Sequence, residues 1–243
     1  MSYKGVLRGR PAVIALIDGG IDTKKCDLGR LVRMSTGFSV KGGYIVEDKE
    51  RSIKSEHATA ISLVIKEIAG DVEFISINIL NERLATDFRV LLYALYYSLE
   101  VIKPDIIHLS LGTTKLSHYL QLKDIVRKAI ESDLILVASA DNSFKISFPA
   151  FMKGVFGVKS SSDQNSNGYC FDGRFFRAPQ SLKGVGGSNC LDRQDYRGNS
   201  IAAAYITGHI AKIIRSDGWT GRENISARLR EGSAKMGWGG GLI

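Results

Sequence analysis

Residues 12–20 read AVIALIDGG. Ala12 to Ile17 are apolar without a break, which is the pattern of a strand buried on both faces of a parallel sheet. A strand with one wet face would alternate instead. Gly19 and Gly20 end the run and leave Asp18 at the strand's carboxyl end. That is the edge at which open α/β sheets bind ligands. An isolated Asp-Gly-Gly is also a ready turn, so a turn or cap is the plainer role for Asp18 alone.

Outward from this segment, further apolar runs fall at 72–79, 105–111 and 134–139, and helical periodicities near 57–69, 87–102, 116–131 and 200–215 alternate with them. Such alternation predicts an α/β fold: a three-layer, doubly wound, mostly parallel sheet with helices on both faces. The 243 residues, 44% of them hydrophobic, suffice for a sizeable core, and the whole chain, 1–243, reads as a single domain. A last amphipathic helix is expected around 222–231, followed by GWGGGLI as a flexible tail or, equally, an ordered terminal loop.

Three other segments place reactive groups at element ends. His57 opens HATAISLVI, where Ala58, Ile61, Val64, Ile65 and Ile68 recur at helical spacing. The imidazole therefore sits on a first turn, where an exposed polar role is the plain alternative to a base. Ser200 begins SIAAAYITG, whose small residues let a helix approach its neighbours closely. Its hydroxyl lies at the positive end of that helix, where developing negative charge is favoured and where serine is equally a common N-cap. The fourth segment, LILVASADNS at 134–143, is a buried strand running into Asp141 and Asn142, and an amide just past a strand can donate to an oxyanion. Of the remaining histidines, His108 within IIHLSL reads as a hydrogen-bonded core residue, His118 as helix surface and His209 as part of the helix after Ser200.

An acid, a base and a nucleophile are thus present together. Ser-His-Asp catalysis needs the imidazole to take the hydroxyl proton and the carboxylate to hold its tautomer. With VIALIDGG, HATA, ADNS and GNSIAAAYITG in that order, the chain resembles the subtilisin-like serine peptidases, as a small divergent cytosolic member. The resemblance implies that Asp18 orients, His57 serves as general base and then acid, Ser200 attacks and Asn142 helps bind the oxyanion. DIIHLSLG is similar to the family's substrate-binding strand and assigns Ser110, Leu111 and Gly112 to pairing with the peptide backbone. Asp141, where the family usually has glycine, is expected to border the first specificity pocket and favour a basic residue before the scissile bond. Other departures are Ala58 and Ala60 in the His segment, Asn199 for the usual threonine, Ala204-Tyr205 for a Pro-His pair, and Gly19 after the aspartate. The implied activity is that of a serine endopeptidase working through an acyl-enzyme without a cofactor or metal. The rival reading is a catalytically impaired subtilisin-like peptide-binding or scaffold protein, motivated by the alanines beside the catalytic positions; an esterase or ligase on the same site is a further one.

Composition narrows the partners. The net charge is +8, but the basic residues are scattered among acids, as in EDKERSIKSE, without an aromatic-basic signature. No nucleic acid is expected. The positive field suits acidic peptides such as precursor leaders, and peptide or protein is the expected substrate. MSYKGVLRGRP carries no secretory apolar run and no stretch could span a bilayer, so a cytoplasmic setting is expected, with the chain folding unaided or already mature. Cys26, Cys170 and Cys190 lack metal-ligand spacing and are expected as reduced thiols.

Overall fold

The AVIALID segment forms the central strand β1 (Ala12–Asp18) of a mostly parallel sheet. A computed structural model of the chain describes residues 9–48, 52–143, 145–161, 168–193 and 195–235, with side chains to residue 233. The tail GWGGGLI lies outside the described residues. Beside β1 stand β4 (Val72–Asn78) and β5 (Ile106–Leu109), both parallel to it, in a register that sets Asp18 against Asn78 and Leu16 against His108. Outward on one side follow β2 (Val32–Lys41) and β3 (Tyr44–Glu47). On the other come β6 (Ile135–Ser139), β7 (Phe156–Ser161), β9 (Phe176–Pro179) and β8 (Cys170–Phe171). The order is β3-β2-β4-β1-β5-β6-β7-β9-β8. Among the strand pairs of the described residues, the two edge pairs, β2–β3 and β8–β9, are antiparallel and the others parallel.

Alternate side chains of the buried strands feed two cores. Ile14 and Leu16 pack with α1 (His57–Ala69), α4 (Asn199–Asp217) and α5 (Arg222–Lys235) on one face. Ala15 and Ile17 pack with α2 (Phe88–Tyr97) and α3 (Tyr119–Glu131) on the other. Helices therefore cover both faces, as βαβ connectivity requires. Asp18 has the side-chain parity of Ile14 and Leu16 and so belongs to the α1/α4 face. On that face α1 and α4 approach closely because Gly208 has no side chain; a Cβ there would lie 2.8 Å from the Cβ of Ile68.

The amino ends of β1 and β5 are clamped by Arg10, whose guanidinium makes a two-pronged ion pair with the buried Asp105 at 2.7 Å per bond. Several expected boundaries shift. The run 105–111 shortens to β5 because residues 110–112 leave the sheet, after which Thr113 pairs with Phe148 through two backbone hydrogen bonds. The helix expected over 87–102 is α2 extended by a π-helical turn at Ser98–Ile102. That over 116–131 begins as a 3-10 turn at Leu116–His118. No helix among the described residues is long and apolar enough to cross a membrane.

Candidate active site

The carboxyl ends of β1, β5 and β6 and the amino ends of α1 and α4 gather the candidate residues at one edge of the sheet. Asp18, the last residue of β1, is fully buried. His57 is the first residue of α1, and its Nδ1 lies 3.1 Å from Asp18 Oδ1 and 3.0 Å from Oδ2. The Gly19 amide also donates to Oδ1 at 2.7 Å. Asp18 thus closes the local turn and engages the imidazole at once. A carboxylate on Nδ1 leaves the proton there and the lone pair on Nε2, the tautomer a base needs.

Burial, the largest influence on His57, favours the neutral ring, yet the charge and hydrogen bond of Asp18 outweigh it and raise the pKa above its ordinary 6.5. His108 contrasts with it. Burial pushes this ring down to about 4, and neutral His108 bridges Thr207 of α4 and the Ser110 hydroxyl, each at 2.8 Å. It is a core histidine tying β5 to α4, as its place in the strand implied.

Ser200 is the second residue of α4, and the N-cap position is taken by Gly198. Serine's commonest structural role at a helix start is therefore absent. The hydroxyl donates to the Ser110 carbonyl at 3.4 Å, and among the described residues no hydrogen bond joins it to His57. The structure brings Asp18 and His57 together and leaves the Ser200–His57 contact unmade.

Gly198 adopts φ 114°, a conformation in which a Cβ would strain the backbone and would also sit 3.0 Å from Asn142 Oδ1. Asn142 follows β6 and is exposed; its Oδ1 accepts from the Asn199 amide at 3.0 Å. With the oxygen so engaged, the NH₂ end is the one free to donate outward. Asn199, a departure from the family's usual threonine, is a buried clamp. Its Oδ1 accepts from the Ser160 amide at 2.7 Å, and its Nδ2 donates to the carbonyls of Ala140 and Asp141 at 3.0 and 3.1 Å. The start of α4 is thereby fastened to the ends of β6 and β7.

Ser110, Leu111, Gly112, Asp141, Asn142 and Ser200 all line one cavity of about 130 Å³, together with Thr114, Ser139, Ala140 and Ser147. Asp141 Oδ1 accepts from the Ser143 amide at 2.7 Å. The position of Gly112 is explained by its neighbour: a Cβ would lie 2.6 Å from the Phe148 carbonyl oxygen.

Comparison with solved structures decides the architecture. Sphericase superposes with a TM-score of 0.71 at 16% identity, covering 94% of this chain and 85% of that one. A cold adapted subtilisin-like serine proteinase gives 0.69 at 16% identity over 95% and 85%. The fold is subtilisin-like. A lanthipeptide protease gives 0.66 at 20% identity over 90% and 79%. No family model and no curated protein sequence matches the chain.

On this subtilisin-like scaffold two expectations change. Cys26 and Cys190 form a disulfide, with Cα atoms 5.4 Å apart across a sequence separation of 164, whereas Cys170 is free. All three had been expected as reduced thiols. The fold brings the loop after β1 against the segment before α4, at a spacing within normal disulfide geometry. Beside the bridge, Lys25 pairs with Glu56 and with Asp192, and the Asp192 amide donates to Glu56 at 2.9 Å. Glu56 is the residue before His57, so this cluster fastens the amino end of α1 to the segment leading into α4. His118 is half-buried rather than helix surface, because its ring stacks on Phe88 at 3.5 Å. Tyr196, with its ring 6.1 Å from that of His57, had no sequence signal beyond its position four residues before Ser200.

Proposed function

We propose that the protein is a serine endopeptidase that cleaves peptide bonds through an acyl-enzyme. The observation that carries this reading is the buried Asp18 carboxylate held against Nδ1 of His57 at the edge where Ser200 and Asn142 share a cavity. In the proposed cycle His57 Nε2 takes the Ser200 hydroxyl proton as Oγ attacks the scissile carbonyl. Asp18 stabilises the resulting imidazolium. The oxyanion is met by the Asn142 NH₂ and by the Ser200 amide, one of the donors a helix leaves unpaired in its first turn. His57 then returns the proton to the leaving amine, and water repeats the sequence to release the acid. The Ser200 hydroxyl must first leave the Ser110 carbonyl; unliganded catalytic groups often reach hydrogen-bonding geometry only with substrate bound.

The substrate backbone is proposed to lie along residues 110–112 as an added strand, with Asp141 at the first specificity pocket selecting a basic residue. The class of substrate is an acidic precursor peptide trimmed of its leader. A cytoplasmic setting belongs to the same reading, but the Cys26–Cys190 bridge counts against it, because disulfides persist mainly in oxidising compartments.

The second reading is a subtilisin-like binding protein without activity, which the Ser200–Ser110 hydrogen bond favours. Incubation with an internally quenched peptide library, read by product mass, separates the two. Peptidase activity predicts discrete cleavages that vanish in Ser200→Ala, with the basic preference weakened in Asp141→Asn. Intact peptides, or cleavages that survive Ser200→Ala, would defeat the proposal.

A further inference from the structure

At the opposite edge of the sheet, by the amino ends of β7 and β9 and of α5, lies an open groove of about 820 Å³. This is well within the range of ligand sites. Its floor is aromatic and its walls are basic. The Arg230 guanidinium lies 4.8 Å over Phe171, that of Arg222 lies 5.6 Å over Phe156, and that of Arg174 lies 5.2 Å over Phe151. Such stacking holds guanidinium groups in place while leaving N–H donors open to an acceptor, so little freedom remains to be lost on binding.

The charges do not balance. Among the described residues, Lys153, Arg174 and Arg230 of the lining make no ion pair, and the one lining carboxylate, Glu223, is paired with Arg222. Arg222 is a fixed part of the wall rather than a free donor: it is only 9% exposed, and its guanidinium donates to the Gly154 carbonyl and to Glu223. Three uncompensated cations spread along one groove call for several carboxylates rather than one small anion, and the ring floor calls for apolar side chains between them.

We propose that this groove docks an acidic polypeptide segment, whose carboxylates meet the basic wall and whose apolar side chains lie on the aromatic floor, away from Ser200. The proposal does not depend on catalysis at the other edge and is tested in its absence.

The probe is a fluorescein-labelled peptide with two acidic residues on each side of a Leu-Phe pair, titrated by anisotropy against the Ser200→Ala protein. A counterpart with lysines for the acids, and inorganic phosphate as competitor, complete the set. The expected result is saturable binding of the acidic peptide that weakens with salt and falls at least tenfold in Arg174→Glu/Arg230→Glu. Both of those residues are exposed, so the fold should survive their replacement. Thermal melts check this, and Arg174→Gln/Arg230→Gln serves as the milder variant. The lysine peptide should not bind, and phosphate should compete only weakly. Absence of binding, equal binding by the charge-reversed variant, or complete displacement by phosphate at low concentration would each overturn the proposal.

Discussion

Two histidines on one face of the sheet are set apart by a single neighbour. His57 and His108 are both buried enough to be pushed toward neutrality, but only His57 is hydrogen-bonded to Asp18, and its pKa is raised, whereas at His108 burial outweighs the charge of Asp18 and the pKa falls to about 4. If neutral His57 is the base, kcat/KM must fall as pH drops through a pKa above 6.5. Removing the charge in Asp18→Asn leaves only the opposing effect of burial, so the acid limb should move to lower pH. Turnover should fall on the order of 10⁴-fold through loss of the tautomer. A pH–rate profile of both proteins measures each effect, and an unmoved limb would assign it to another group. Asn142→Ala removes the exposed amide donor. The expected loss is about 10²–10³-fold in kcat with KM little changed, a size known from subtilisin itself.

Among the elements, the strands and helices that carry the candidate residues were legible because each is fully buried or strongly periodic. AVIALI, SLVIKEIA and LILVAS leave few alternatives to a central strand or a covered helix. The edge elements were not legible. β2 carries mixed burial and β8 is two residues long, so neither shows a clear apolar run, although both pair with the strand next in sequence, Lys41 with Tyr44 and Phe171 with Phe176. Of the candidate site, the Asp18–His57 contact could be anticipated. The three-bond clamp of Asn199 could not, since it requires knowing that β6 and β7 end beside α4. The segment 110–112 shows how an element boundary sets a site: the chain leaves β5 and passes so close to Phe148 that only glycine fits at 112. Gly112→Ala would force a Cβ against a backbone oxygen that cannot rotate away. It should cost about 1–3 kcal/mol of stability, the usual range for overpacking. It should also raise KM for peptides more than it lowers kcat. Chemical denaturation and steady-state kinetics test the two parts; an unchanged midpoint and KM would show that the close approach is relaxed at no cost.

For the molecule as a whole, the Cys26–Cys190 bridge joins the loop after the first strand to the segment before the helix that carries Ser200. Nothing in the spacing of three cysteines could reveal it. Closing so long a loop restricts the unfolded chain, and replacing both residues by serine should lower stability by on the order of 2–5 kcal/mol. Urea midpoints of oxidised wild type and Cys26→Ser/Cys190→Ser would measure this, and coincident curves would remove the bridge from the stability of the fold. The central claim is that the folded chain assembles a working nucleophile from segments nearly the whole length of the sequence apart. Its most direct test is intact-mass detection of labelling by a serine-reactive fluorophosphonate. The account predicts one adduct on the wild type, located at Ser200, lost in Ser200→Ala and strongly slowed in His57→Ala. An unlabelled wild type, or an adduct that persists in Ser200→Ala, would contradict it.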